Sequence, residues 1–299
     1  MSAMDVPSSL YPFAPHFVQL PSGARMHYVD EGDAAAPPVL MLHGNPTWSF
    51  YWRSLITALS PTHRVIAPDH IGCGKSDKPD DAAYSYRLEQ RVEDIAFLVD
   101  HLELAPLTLA VHDWGGMIGM AWAHRNPARV ERLVVLNTAA FPMPASKRLP
   151  ASLWWARNTR VGAVLVRGLN AFSRGATRLA VTRRTLPKDV RDGLCAPYDS
   201  WDHRRAVLRF VQDIPLRDTD PGYALVREVG EHLSQFDDRP VLICWGDRDF
   251  VFDHHFLAKW REALPHARVH QFPDCGHYVL EDAPEEICEL VCELLAGAA

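Results

Sequence analysis

The stretch Val111-His112-Asp113-Trp114-Gly115-Gly116 does most to limit what this chain can fold into. It joins the apolar run Leu107–Val111, which reads as a buried strand, directly to the helical pattern Met117–His124. So abrupt a strand-to-helix turn has the layout of a nucleophile elbow, which holds one side chain above the edge of a sheet. Gly115 and Gly116 let helix and strand approach closely. The residue at the apex is Asp113, and an ionised carboxylate is a nucleophile that needs no base to activate it. The backbone N–H of Trp114, at a helix N-terminus, can face developing negative charge. The plain alternative makes Asp113 an ordinary helix N-cap.

The rest of the chain carries the alternation that such a turn requires. Phe17–Leu20 and Arg25–Val29 predict an opening hairpin. Pro38–Leu42, His63–Pro68 and Arg132–Leu136 predict strands, and Phe50–Leu59 and Leu88–Leu102 predict helices. From about Thr138 to Asp238 only helical patterns with Pro and Gly punctuation remain. Alternation resumes with Pro240–Trp245, His254–Leu264, Arg268–Phe272 and Glu285–Leu295. The expected fold class is therefore α/β, a mostly parallel central sheet flanked by helices. Residues 1–137 and 239–299 would form the core and residues 138–238 a helical cap.

Composition narrows the function. With 31 Lys and Arg against 37 Asp and Glu, the net charge of −6 is a poor match for a phosphate backbone, so no nucleic-acid partner is expected. No apolar run approaches the ~20 residues needed to cross a bilayer. Met1-Ser2-Ala3-Met4-Asp5 lacks the basic and apolar regions of a signal peptide. The six cysteines form no CxxC pair and read as free thiols of a cytoplasmic protein, with Cys288 and Cys292 as small buried side chains of a helix. No HExxH or similar ligand spacing occurs, and no metal or organic cofactor is expected.

Two further sites complete a catalytic pattern. Asp247-Arg248-Asp249 follows the strand Pro240–Trp245, and Gly276-His277 follows Arg268–Phe272. Nucleophile, acid and histidine thus appear in α/β-hydrolase order. Asn137 ends the strand Arg132–Leu136 without a charge, so Asp249 is the expected acid, with Asp247 as second choice. His43-Gly44-Asn45-Pro46 follows the strand Pro38–Leu42, and the Asn45 backbone N–H can supply a second donor toward the nucleophile. The Asn45 amide and the Trp114 indole N–H are further donors, suited to a leaving anion or a lactone oxygen.

HGNPTWSFYWR (43–53), PDHIGCGKSDKP (68–79) and VHDWGG (111–116) together resemble the haloalkane dehalogenase-like branch of the α/β-hydrolase superfamily, over nearly the whole chain. Epoxide hydrolases usually carry an aromatic residue where this chain has Asn45. NTAAFP (137–142), RGLNAF (167–172), YDSW (198–201) and RFVQDIPL (209–216) resemble the β-lactone decarboxylases of bacterial long-chain olefin biosynthesis. The resemblance implies a lyase that turns a cis-dialkyl-oxetanone into a cis-alkene and carbon dioxide. It also implies an apolar substrate and partner enzymes of the same pathway. The catalytic residues themselves fit a hydrolytic haloalkane dehalogenase equally well, and they do not fix which atom of a lactone Asp113 would attack. A non-catalytic binder on the same fold would be expected to lose part of the set.

Leu153, Trp154, Trp155, Val161, Val164, Leu165, Leu169 and Phe172 recur at helical spacing; such a cap would either line an apolar pocket over Asp113 or use these residues only to pack onto the core. From Lys147 to Lys188 there are ten Lys or Arg and no Asp or Glu. On a continuous helix Arg160, Arg167, Arg174 and Arg178 would form one stripe, although Gly162, Gly168 and Gly175 argue against an unbroken helix. A peripheral contact with an anionic membrane surface or with an acidic partner enzyme is one expectation from this segment, a merely solvated face the other.

Overall fold

The strand Leu107–Asp113 runs into a helix without an intervening loop, and the remaining elements are arranged about that junction. The computed structural model describes residues 6–297, so residues 1–5, on which the expectation of no leader rests, lie outside the described residues. The strands are β1 (His16–Gln19), β2 (Arg25–Glu31), β3 (Pro38–Leu42), β4 (Arg64–Pro68), β5 (Leu107–Asp113), β6 (Val130–Thr138), β7 (Val241–Gly246) and β8 (Arg268–Phe272). They form one 8-stranded sheet in the order β1-β2-β4-β3-β5-β6-β7-β8. The β1–β2 and β2–β4 pairs are antiparallel and every other pair is parallel. β5 is buried at every position, as a central parallel strand covered on both faces must be.

The helices of the first half are α1 (Arg53–Leu59), α2 (Leu88–His101) and α3 (Trp114–Arg125). Between β6 and β7 lie α4 (Ala151–Asn158), α5 (Arg160–Leu169), α6 (Ala171–Leu179), α7 (Lys188–Cys195), α8 (Arg205–Gln212) and α9 (Tyr223–Glu231), with no strand among the described residues there. The chain closes with α10 (His254–Ala263), α11 (Val279–Asp282) and α12 (Pro284–Ala296). Two apolar clusters fill the two sides of the sheet: α2 and α3 pack with Leu40, Leu109 and Val135, while α1 and α12 pack with Val39, Ala110 and Val134.

Three expectations need correction. The strand expected to stop at Val111 continues to Asp113, and its helix starts at once with Trp114. Asn170, in the left-handed conformation with φ 53°, separates α5 from α6, so the four arginines share no continuous helix. Arg167 is also turned back onto Asp202 and the Trp201 ring. Finally, Cys292 is exposed and Cys288 only half-buried, because the α12 face that meets the core carries Ile287, Leu290, Val291 and Leu295.

Candidate active site

Asp113 sits at the apex of the β5–α3 turn with φ 51° and ψ −125°, a backbone conformation that costs an L-residue on the order of 1–3 kcal/mol. The surroundings enforce it. A side chain on Gly115 would run into the Leu42 carbonyl of β3, so α3 can lie this close to the sheet only with glycine there. The Thr138 hydroxyl at the end of β6 donates to the Asp113 carbonyl. The Asp113 side chain makes no capping bond to α3, which removes the N-cap alternative. Its carboxylate turns instead toward β3. Oδ1 accepts the Asn45 backbone N–H at 2.6 Å, in space that a side chain on Gly44 would occupy. Of the two backbone donors expected at the nucleophile, only Asn45 is engaged; no bond from the Trp114 N–H to the carboxylate occurs among the described residues.

His277, from the loop after β8, faces Asp113 with Nε2 at 3.5 Å from Oδ2. Its Nδ1 lies 2.7 Å from Asp249 Oδ2. Asp249 is itself held from three directions. Its Oδ1 accepts the backbone N–H groups of Val251 and Phe252 at 2.7 and 3.1 Å, and its Oδ2 accepts the Asn137 amide at 3.0 Å. Asp247, the second choice of acid, is exposed and accepts from Gln271. Burial disfavours a charged His277, yet the Asp249 charge and the contact with Asp113 outweigh it and raise the imidazole to about 10. Burial likewise opposes the charged form of Asp113, but the His277 contact and charge, together with the Asn45 N–H, hold its carboxyl below the usual range. The resting site is therefore an anion–cation–anion row.

Two contributors to this row were not singled out in the sequence. Asn137, noted only for lacking a charge, bonds both backbone groups of Gly246, accepting at 2.8 Å and donating at 3.1 Å, and so ties the end of β6 to the turn that bears Asp249. A polar residue ending an apolar strand is the signal that could have found it. His112 lies between the rings of Tyr51 and His277, at 4.4 and 4.7 Å, and its Nε2 donates to the His277 carbonyl at 2.9 Å. Burial, reinforced by the neighbouring His277 charge, lowers His112 to about 3 and keeps it neutral.

A cavity of about 230 Å³ opens over Asp113 and His277. Asn45 and Trp114 line it from the sheet side, while Leu153, Phe172, Ala176, Val211 and Ile214 line it from the helices between β6 and β7. The Trp114 indole packs on Phe210 and bonds no protein acceptor among the described residues. The Asn45 amide nitrogen is 3.2 Å from the Val207 carbonyl, leaving its Oδ1 buried without a partner. The expected apolar lining is only partly realised. Leu153 and Phe172 face the cavity, whereas Trp154, Trp155, Val161, Val164, Leu165 and Leu169 are exposed on the outside. Asp253, His254 and His255 bring ligand-type atoms within 4.8 Å of one another, but Lys147 already neutralises Asp253 at 2.7 Å.

Residues 37–284 match the sequence pattern of the α/β hydrolase fold. The chain belongs to this family. A relative from Shewanella oneidensis, named cis-3-alkyl-4-alkyloxetan-2-one decarboxylase, is 54% identical over 280 residues, spanning 93% of this chain and 87% of that protein. A second protein of that name, from Xanthomonas campestris, is 49% identical and spans 92% and 93% of the two chains. Among solved α/β-hydrolase structures, a loop variant of a haloalkane dehalogenase from Bradyrhizobium elkanii superposes with a TM-score of 0.84 at 28% identity, covering 95% of this chain and 97% of that one.

Proposed function

We propose that the protein is a β-lactone decarboxylase, a lyase that converts a cis-3-alkyl-4-alkyloxetan-2-one into a cis-alkene and carbon dioxide. The observation that carries this reading is the 54% identity, over 93% of the chain, to a relative named for that substrate and activity. In this reading Asp113 is the nucleophile, His277 and Asp249 form the charged pair behind it, and Asn45 and Trp114 stabilise the departing carboxylate. Residues 138–238 act as a cap that gives the cavity its apolar wall.

Asp113 attacks the ring carbon that bears the ring oxygen. That carbon–oxygen bond breaks, its electron pair stays on the substrate as a carboxylate, and an alkyl ester of Asp113 forms with inversion. The bond to the carboxylate carbon then breaks. Its electron pair becomes the second bond of the alkene, the ester bond breaks back onto Asp113, and carbon dioxide leaves. Inversion followed by anti elimination leaves both alkyl arms on one side, so a cis ring yields a cis alkene. No water is consumed and no proton moves. His277 stays protonated throughout, and its charge favours return of the Asp113 carboxylate.

A second reading, hydrolytic dehalogenation, is favoured by the superposition on a haloalkane dehalogenase. There His277 must lose its proton and activate water. Esterification of Asp113 removes one of the negative charges that raise His277, which makes it a better base at that moment. The two readings are separated by incubating the protein with a dialkyl β-lactone and, separately, with a bromoalkane. Alkene formation much faster than bromide release supports the decarboxylase, and the reverse supports the dehalogenase.

The substrate must come from an enzyme that closes a β-lactone ring, a pathway partner of this one. We place the reaction in the cytoplasm, where the free cysteines would stay reduced. Among the described residues no helix is long and apolar enough to cross a membrane.

A further inference from the structure

We propose that the outer face of α4 and α5 docks on an anionic lipid surface. Trp154, Trp155, Val161, Val164, Leu165 and Leu169 each expose between 44% and 64% of their area. These two helices lie close together, because a side chain on Gly162 would meet the Trp155 carbonyl and the Ala156 backbone. Their inner sides are already occupied, with Ala156 and Val166 packed on Val207, Leu208 and Val211 of α8. α5 is thus apolar on both sides, a composition normally found only where a helix is covered all round. Exposed apolar clusters of this kind mark contact surfaces.

The charges around the face select the occupant. The segment from Lys147 to Lys188 holds ten Lys or Arg and no Asp or Glu. Lys147, Arg157, Arg167 and Arg183 pair with carboxylates elsewhere in the fold. Arg148, Arg160, Arg174 and Arg178 have no carboxylate partner among the described residues. A second copy of the chain meeting this face symmetrically would bring arginines against arginines. A lipid surface with anionic headgroups satisfies both features at once, acyl chains for the valines and leucines and the interfacial layer for the two tryptophans.

The position of the cavity mouth agrees with this. Leu179 and Phe250 line the cavity and yet are 68% and 44% exposed, so they mark its rim. Leu179 follows Arg178 at the end of α6. A substrate with alkyl arms can pass from the lipid to Asp113 without crossing water. This last point rests on the proposed lactone substrate; the docking itself does not.

The test uses the whole protein without substrate. Co-sedimentation is measured with vesicles of phosphatidylglycerol and phosphatidylcholine in equal parts, and of phosphatidylcholine alone, at low and high salt. Binding to the anionic vesicles that weakens with salt is expected. Replacing Arg160, Arg174 and Arg178 together by Gln lowers it on the order of a hundredfold, about fivefold per charge near the surface. Val164→Ser, Leu165→Ser and Leu169→Ser together remove it at either salt concentration. Both variants keep the parent melting temperature and turn over a short, water-soluble β-lactone at the parental rate. Equal or absent binding to the two kinds of vesicle overturns the proposal. So does a dimer that the serine variant dissociates, since the face would then belong to a second copy. Failure of lactone turnover in the unsubstituted protein counts against the proposed function and leaves the vesicle result to be read alone.

Discussion

Asp249→Asn is the substitution whose consequences the structure specifies most closely. The asparagine amide has one acceptor and one donor where Asp249 has two acceptors. With its NH₂ in the Oδ1 position it opposes the N–H groups of Val251 and Phe252. With its NH₂ in the Oδ2 position it opposes the Asn137 amide and requires His277 Nδ1 to accept, which leaves the ring a single proton on Nε2 and discharges the imidazolium. Either way a buried donor is left unpaired, at about 1–3 kcal/mol. The substitution also removes one of the charges that lift His277 to about 10. An opposite charge in contact shifts a pKa by about 1–3 units, or roughly 1.4–4 kcal/mol in favour of the imidazolium. The expected result is a lowered melting temperature, a His277 titration moved down by at least one unit by NMR, and kcat/KM for alkene formation reduced about 10–10³-fold, the loss of the His277 charge that favours return of the Asp113 carboxylate. Retention of more than about a tenth of the rate would refute the reasoning. A larger loss in Asp247→Asn would show that the acid is misassigned.

Other outcomes follow from the same geometry. Asp113→Ala leaves the protein folded by circular dichroism and abolishes turnover of lactone and haloalkane alike; residual activity above a few per cent of parent, or about 10⁻², excludes the nucleophile role. Gly44→Ala places a methyl group in the space of the Asp113 carboxylate, so kcat falls by about 10² or more, as expected for a displaced nucleophile. His277 is raised by folding, so its contribution to stability is complete below its unfolded value near 6.5 and is lost as pH rises through about 10. Chemical denaturation of parent and His277→Gln should therefore differ most at acid to neutral pH and converge in alkali; a gap that widens with pH contradicts the protonated row. Trp114→Phe removes the indole donor while keeping the contact with Phe210. It should lower kcat more than it raises KM, and an unchanged kcat would remove the indole from leaving-group stabilisation.

The parts of the fold legible in the sequence are those fixed by local chemistry. The elbow is a contiguous turn in which Gly115 is required by the Leu42 carbonyl, so its signal lies in adjacent residues. Asp249 and His277 follow strand patterns, and chain order alone places them at one edge of a parallel sheet. What the sequence could not resolve was orientation. Val161, Val164, Leu165 and Leu169 share helical spacing with core residues, but α5 is apolar on both sides, and periodicity does not say which side meets the cavity. The arginine stripe failed for a related reason: the wheel assumes an unbroken helix, and Asn170 in the left-handed region turns the chain between α5 and α6. Asn137 and His112 act through backbone groups distant in sequence, at Gly246 and His277, and residue type alone gives little notice of such contacts.

In the proposed reaction Asp113 opens a lactone and is released without water. Many turnovers of a cis-dialkyl β-lactone should be run in heavy-oxygen water, and the peptide containing Asp113 then weighed by mass spectrometry alongside the organic product. The expected result is cis-alkene equal in amount to the carbon dioxide released, with no heavy oxygen in the Asp113 carboxylate. Heavy oxygen in Asp113, accompanied by a hydroxy acid instead of an alkene, would mean that water cleaves an Asp113 ester and that the protein is a hydrolase.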